Sequence, residues 1–171
     1  MSTTDLSAFD RSKVPSGTGF RIAIAVSNWN DEITENLYRG AFDTLTEFGV
    51  KYENITRYDV PGSFELIYAA SALQNTGRYD AIIVLGCVIR GETPHFEYIC
   101  SSVAQNIGLL NVQAGEKNTA PVVFGVLTDN HIEQSRQRSG GLLGNKGVEC
   151  AVDALRLAAL RTEVSATGNP K

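Results

Sequence analysis

The sequence predicts an α/β protein in which a central, mostly parallel four-stranded sheet lies between two layers of helices, a three-layer α/β/α sandwich. Short apolar runs alternate along the chain with segments of helical periodicity, which is the order of successive βαβ units. Residues 81–89 (AIIVLGCVI) are apolar throughout, as is typical of a strand buried on both faces of a parallel sheet. The length of 171 residues fits one such domain.

The first half of the chain predicts two strand–helix pairs. The expected elements are a strand at 21–27, a helix at 30–48, a strand at 50–60 and a helix at 63–73. Helical spacing is clearest in the first helix, where one face carries Ile33, Leu37, Ala41, Leu45 and Phe48. We expect Asn30 to cap this helix and Gly49 to end it.

The second half continues the alternation. The expected elements are the strand at 81–89, a helix at 93–110, a strand at 121–127, a short helix at 130–138 and a last helix at 145–161. Thr93 is a suitable N-cap for the third helix, with Pro94 at its first helical position. Asn130 and Glu133 have the spacing of a capping box for the short helix. Residues 1–16 are expected to form a flexible N-terminal arm or an edge strand that docks on another surface, residues 17–162 the single domain, and residues 163–171 a polar tail.

Composition argues against several classes of protein. The net charge is −4 and the sequence pI is about 5.2, with no basic cluster, so we expect no nucleic-acid partner. Cys87, Cys100 and Cys150 are widely spaced without any C-x-x-C, which favours three reduced thiols over disulfides or a metal site. No secretory signal and no apolar run near 18 residues occurs, so a cytoplasmic location without a membrane partner is expected.

Ligands of parallel α/β folds bind beyond the carboxyl ends of the strands, so the turns after the predicted strands are the candidate site. Trp29 follows the first strand, either as a core residue or as a platform for a flat ring. The segment VPGSFE (60–65) follows the second. Glu65 lies in the first turn of the next helix, where a carboxylate either stabilises the helix dipole or accepts hydrogen bonds from hydroxyl groups.

The third strand leads into the most informative segment, GCVIRGETPHFEY (86–98). A helix that begins directly at a strand end points its free N–H groups into the cleft, which creates an anion site suited to phosphate. His95 is either structural or a proton-transfer group beside that anion. Arg138 is either a solvated surface residue or a phosphate ligand. The segment GNKG (144–147) lacks the spacing of a P-loop, and no dinucleotide fingerprint is present.

Taken together, these segments resemble the lumazine synthase family over about residues 18–162. VPGSFE, GCVIRGETPHFEY, PVVFGVLT, the IEQ…R helix and GNKG occur in the family's order. The resemblance implies a flavodoxin-like fold and the condensation of 5-amino-6-(D-ribitylamino)uracil with 3,4-dihydroxy-2-butanone 4-phosphate. The products are 6,7-dimethyl-8-ribityllumazine, phosphate and water, in a step of riboflavin biosynthesis that needs no cofactor.

The resemblance also implies a role for each matched residue. Trp29 matches the ring that stacks on the pyrimidine. The family's segment that binds the ribityl chain corresponds to Ser63, Phe64 and Glu65. The strand end whose backbone binds the uracil edge corresponds to Cys87, Val88 and Ile89. The family's phosphate-binding turn corresponds to Glu92 and Thr93, and its phosphate-binding arginine corresponds to Arg138. The proposed proton-transfer residue corresponds to His95. Phe124 matches an aromatic residue that reaches in from a neighbouring subunit.

One position departs from the family pattern. Many bacterial members have a lysine four residues after the phosphate arginine, and this chain has Leu142 there, so phosphate binding would depend more on Arg138. The resemblance implies a homopentamer, or pentamers assembled into an icosahedral shell, and makes riboflavin synthase a candidate partner. The alternatives are a flavin- or lumazine-binding protein without catalysis and a purely shell-forming protein.

Overall fold

A computed structural model describes residues 5–167. Along the chain the main elements are β1 (Ile22–Ser27), α1 (Asp31–Glu47), β2 (Ile55–Val60), α2 (Leu66–Asn75), β3 (Ala81–Ile89), α3 (His95–Lys117), β4 (Val122–Asp129), α4 (Ile132–Arg138), β5 (Ser139–Gly141), β6 (Gly144–Asn145) and α5 (Lys146–Thr167). Short 3-10 helices, Arg11–Lys13 and Tyr52–Asn54, precede β1 and β2. No helix in the described range is long and apolar enough to cross a membrane.

The four long strands form one parallel sheet in the order β2-β1-β3-β4, which confirms the predicted three-layer, flavodoxin-like architecture. Successive residues of a strand point to opposite faces. Ile24 and Val26 of β1 therefore pack with α1 and α5, whereas Ala23 and Ala25 pack with α2 and α3. Both faces are buried, and all four carboxyl ends lie at the same edge of the sheet.

Two helix starts differ from the expectation. Asn30 does precede α1, but it has a left-handed backbone (φ 58°) and makes no side-chain cap. Its Nδ2 instead donates to the carbonyl oxygen of Cys87 at 2.9 Å. α3 begins at His95 with Pro94 at the N-cap, so Thr93 does not cap it.

The capping box of α4 also differs. Gln134, rather than Glu133, reaches back, and its Oε1 accepts from the backbone N–H groups of Asn130 at 2.8 Å and His131 at 3.2 Å. A single amide oxygen thus satisfies two backbone donors, and the helix starts at Ile132, two residues later than expected.

The N-terminal end of the described chain contacts the segment around β5 and β6, and its C-terminal end continues α5. Leu6 N–H donates to the Leu143 carbonyl at 3.2 Å, and the Ser7 hydroxyl donates to the Asn145 carbonyl at 3.0 Å. α5 continues to Thr167, so residues 163–167 of the expected tail are helical. The remainder of the expected arm and tail, residues 1–4 and 168–171, lies outside the described residues.

The GNKG segment packs α5 against α1. Asn145 Oδ1 accepts from Gly147 N–H at 2.8 Å, and its Nδ2 donates to the Asn36 carbonyl at 3.0 Å. A Cβ at Gly147 would lie 1.9 Å from the carbonyl oxygen of Leu37, so only glycine permits this approach. The motif therefore has a structural explanation that requires no phosphate.

Candidate active site

An open cavity of about 570 Å³ lies at the carboxyl edge of the sheet. Its walls come from the turns after β1 and β2, the end of β3 and the first turns of α3. The lining residues are Trp29, Asn30, Gly62, Ser63, Phe64, Glu65, Cys87, Val88, Ile89, His95 and Ile99. Eight of the twelve residues that the sequence singled out are among them.

The Trp29 ring stands at the mouth of this cavity and is 72% exposed, so it is not a core residue of this chain. Gly62 lies between the Trp29 ring and the Glu65 carboxylate. A Cβ at Gly62 would lie 3.3 Å from Trp29 Cδ1 and 3.1 Å from Glu65 Oε2. The glycine thus allows an aromatic face and a carboxylate to share one wall, which suits a flat ring that carries a hydroxylated substituent.

Ser63 lies deeper than its neighbours. It is 6% exposed, whereas Phe64 is 49% exposed. A Cβ at Gly86 of β3 would lie only 2.6 Å from the Ser63 hydroxyl oxygen. The absence of a side chain at Gly86 therefore leaves the space that the Ser63 hydroxyl occupies.

The end of β3 presents unpaired backbone to the cavity. β3 pairs with β4 as far as Ile89, but its pairing with β1 ends at Leu85. The N–H groups of Ile82 and Arg90 donate toward β4, to Pro121 at 2.9 Å and Asp129 at 3.0 Å. Because backbone polar groups alternate in direction along a strand, those of Cys87 and Ile89 point to the side where β1 has ended. They are available to the edge of a ligand, apart from the Cys87 carbonyl that Asn30 occupies.

The Cys87 side chain is held behind this wall. Burial raises the pKa of its thiol to about 11, although a hydrogen bond with Ser135 acts in the opposite direction. Cys87 Sγ donates to Ser135 Oγ at 3.3 Å, and Ser135 Oγ donates to Asp129 Oδ2 at 2.6 Å. The thiol is therefore protonated near neutral pH, and Cys87 contributes backbone rather than a nucleophile to the cavity.

His95, the first residue of α3, is exposed and lines the cavity beside the end of β3. Arg90 holds the intervening loop. Its Nε donates to Asn130 Oδ1 at 2.7 Å, it pairs with Glu97, and its guanidinium lies 4.3 Å from the centroid of the Phe96 ring. Loop and helix start are thereby tied to the end of β4, which holds the backbone of His95 beside the end of β3.

Four expected site residues do not line the cavity. Glu92 and Thr93 are exposed on the loop between Ile89 and His95. Phe124 lies half-buried on β4, packed against the core that faces α2 and α3. Leu142, which is not one of these four, also lies outside the cavity and is 85% exposed.

Arg138 is the fourth expected site residue outside the cavity, and it bonds to other residues of its own chain. Its Nη1 donates to the Leu143 carbonyl at 2.7 Å, and its Nη2 donates to Glu149. Glu149 also accepts from Lys146 Nζ at 3.0 Å. The guanidinium side chain is only 16% exposed in this arrangement.

Three lining residues were not expected from the sequence. Asn30 was interpreted as a helix cap, and Gly62 only as part of a turn. Ile99 lies within the expected third helix, residues 93–110, and was not given a site role. The spacing of Ile99, four residues after His95 and hence on the same helix face, was a usable signal. The hydrogen bond from Asn30 to the Cys87 carbonyl joins the turn after β1 to β3, so nothing in the local sequence indicated it.

The fold and the cavity define an α/β protein with a cavity at the carboxyl edge of its sheet, where an exposed aromatic ring, a carboxylate, strand-end backbone and an imidazole come together. A family model for 6,7-dimethyl-8-ribityllumazine synthase matches residues 19–162. The chain belongs to this family, as the sequence motifs predicted.

Several relatives carry the same name. A 6,7-dimethyl-8-ribityllumazine synthase of Christiangramia forsetii is 52% identical over 160 residues, which cover 93% of each chain. That of Porphyromonas gingivalis is 51% identical and covers 91% of this chain and 94% of the relative. That of Flavobacterium johnsoniae is 50% identical and covers 94% of this chain and 83% of the relative. The similarity thus extends over nearly the whole described domain.

The exposure of Trp29 leads to a binding prediction. Loss of the aromatic face in Trp29→Leu should weaken binding of 6,7-dimethyl-8-ribityllumazine by about 0.5–1.5 kcal/mol, roughly 2- to 13-fold, whereas Trp29→Phe should retain most of the affinity. Equilibrium titration measures this. Tyr52→Leu is the matched control, because Tyr52 is an aromatic residue of similar exposure (75%) at the amino end of β2. Equal affinities for Trp29→Leu and the parent protein would exclude stacking.

Proposed function

We propose that this protein catalyses the formation of 6,7-dimethyl-8-ribityllumazine from 5-amino-6-(D-ribitylamino)uracil and 3,4-dihydroxy-2-butanone 4-phosphate, in riboflavin biosynthesis. The observation that carries the proposal is the convergence of four kinds of group on one cavity. These are an exposed aromatic face, a hydroxyl and carboxylate wall, unpaired strand-end backbone and an imidazole at a helix start. Each suits one part of this substrate pair.

The pyrimidine half is supported most fully. The Trp29 face suits the uracil ring, and the unpaired backbone at Cys87 and Ile89 suits the donors and acceptors of its edge. Val88, between them, adds an apolar contact. Ser63, Phe64 and Glu65 line the same cavity where a chain attached to the ring would extend, and the carboxylate can accept hydrogen bonds from ribityl hydroxyls.

The chemistry requires proton transfer near this ring. The 5-amino nitrogen attacks the ketone carbon of the butanone phosphate, and loss of water gives an imine. Loss of a proton from the carbon next to the imine then expels phosphate as its C–O bond breaks, and the resulting enol becomes a ketone. The ribityl-bearing nitrogen adds to this ketone, and loss of a second water completes the second ring. His95 is placed to move protons at the attacking nitrogen and the departing oxygen, because it lines the cavity beside the strand end. Holding the two substrates together supplies much of the remaining acceleration, up to about 7–11 kcal/mol.

Phosphate has a partial site within one chain. The first N–H groups of α3 are unpaired within the helix and lie at its positive end, next to the exposed loop with Glu92 and Thr93. This loop suits the phosphate of the butanone substrate. A binding protein for a flavin or lumazine would use the aromatic face but would need neither the imidazole nor this anion site, which favours catalysis.

Loss of His95 tests the mechanism. His95→Ala should lower kcat by about 10²–10⁴-fold while substrate affinities change little, because proton transfer by a placed side chain contributes about that factor. Steady-state formation of the lumazine chromophore measures it. His131→Ala is the matched control, since His131, the other of the two histidines, does not line the cavity. Parental turnover in His95→Ala would remove His95 from the mechanism.

We also propose that Arg138 and Phe124 complete the site of a neighbouring subunit. Neither lines the cavity of its own chain, so an oligomer is the way for both to act as site residues. Release of Arg138 toward a phosphate would leave Glu149 still paired with Lys146, which lowers the cost of the exchange. Leu142 supplies no charge here, so Arg138 carries more of the phosphate contact.

The assembly we propose is a homopentamer, built further into an icosahedral shell. The link between α4 and α5 is short, with only β5, two leucines and β6, and carries no insertion that would obstruct contacts between pentamers. Leu142 is 85% exposed in one chain, and its burial between subunits would contribute about 25 cal/mol per Å². We place the protein in the cytoplasm, where its three free cysteines stay reduced, with riboflavin synthase as a candidate partner.

Light scattering coupled to size-exclusion chromatography tests the shell. Sixty copies of the 18.5 kDa chain would give a particle of about 1.1 MDa. Leu142→Glu should shift the distribution toward pentamers, because it places a charge in the proposed contact between pentamers. A homogeneous pentamer peak for the parent protein across salt and pH would contradict the shell, and a monomer with full activity would contradict the shared site.

A further inference from the structure

Two buried hydroxyl groups near the cavity lack hydrogen-bond partners. Within residues 5–167, the buried side-chain oxygens and nitrogens without a partner are Ser27 Oγ and Ser63 Oγ. Ser27 is 0% exposed and Ser63 is 6% exposed. An unsatisfied buried hydroxyl is destabilising, so its presence at two neighbouring positions requires a reason.

Ser27 and Ser63 both lie next to Gly86 of β3. β1 and β3 are paired up to Val26 and Leu85, so Ser27 and Gly86 are at the next position of the two strands. Ser27 follows Ala23 and Ala25 on the sheet face that packs against α2 and α3. The Ser63 hydroxyl lies on this face too, 2.6 Å from the place of a Cβ at Gly86.

The geometry limits how these hydroxyls can be satisfied. Adjacent strands lie roughly 5 Å apart, which places Ser27 about one strand spacing from Gly86, the residue next to the Ser63 hydroxyl. The two hydroxyls do not bond in this conformation. A hydrogen bond between them requires rotation about the Cα–Cβ bond of at least one of the two serines. Ser63 Oγ has one proton to donate and lone pairs to accept, so it can accept from Ser27 and donate outward at the same time.

We propose that Ser27 is a positioning residue for the hydroxylated chain of the substrate. When the chain enters, the Ser27 O–H donates to Ser63 Oγ, and Ser63 donates its own proton to a hydroxyl oxygen of the chain. Ser27 thus directs the Ser63 proton into the cavity without touching the substrate. Gly86 is required because any side chain there would occupy the place of the Ser63 hydroxyl. This inference rests on the proposed function, since it assumes that a polyol binds at Ser63.

Ser27→Ala separates this role from a structural one. Removal of an unpaired buried hydroxyl should leave the thermal unfolding midpoint unchanged or raise it. The KM for 5-amino-6-(D-ribitylamino)uracil should nevertheless rise about 3- to 10-fold, the equivalent of one neutral hydrogen bond, while kcat and the KM for the butanone phosphate stay near parental values. An analogue with an ethyl group in place of the ribityl chain should give the same KM with both proteins.

A double-variant cycle with Ser63→Ala shows whether Ser27 acts through Ser63. Ser27→Ala should have no further effect on KM in the Ser63→Ala background. Thr44→Val is the matched control, because Thr44 is a buried hydroxyl that donates to the Gly40 carbonyl at 2.7 Å on α1, away from the cavity. Its KM should be parental.

Two results would overturn the role of Ser27. One is a parental KM for the ribityl substrate in Ser27→Ala while Ser63→Ala raises it, which leaves the proposed function intact. The other is an equal rise for the ribityl substrate and the ethyl analogue. Failure of the parent protein to form any lumazine would be a different result, because it contradicts the proposed function itself.

Discussion

The site depends on one backbone constraint: β3 continues past the end of β1 while it remains paired with β4. In a parallel sheet this leaves the polar groups on one side of residues 86–89 without a strand partner. Asn30 satisfies one of them, the Cys87 carbonyl, and thereby fixes the start of α1 to the end of β3. The remaining groups face the cavity, where a planar heterocycle with donors and acceptors on its edge can pair with them.

Glycine at two strand-end positions brings the other walls close. Gly62 lets Trp29 and Glu65 share one wall, and Gly86 leaves room for the hydroxyl of Ser63. Arg90 then ties the loop before α3 to Asn130, so that His95 stands beside the same strand end. Aromatic face, carboxylate, strand edge and imidazole therefore lie around one cavity before any substrate arrives, which favours catalysis by orientation.

The sequence predicted the fold closely because apolar periodicity reports burial. Residues 81–89 are apolar throughout since β3 is central in the sheet, and the structure gives that strand the expected bounds. Helix starts were less predictable, because the Asn30 side chain bonds to a residue far along the chain rather than to its own helix. The motifs located most of the cavity, but no sequence pattern could show that Arg138 is paired with Glu149 and lies outside its own cavity, or that the hydroxyls of Ser27 and Ser63 are buried without a partner. Those facts depend on tertiary packing alone.

The central claim is that one chain holds the ring and the imidazole while a neighbour supplies the arginine. Subunit complementation tests it most directly: His95→Ala and Arg138→Ala chains are co-expressed with different tags, and the mixed oligomers are purified. Random mixing at equal amounts should give about one quarter of the sites an intact His95 from one subunit and an intact Arg138 from its neighbour. The account predicts activity near a quarter of the parental rate at low butanone phosphate. Activity no greater than that of the two separate variants would contradict it.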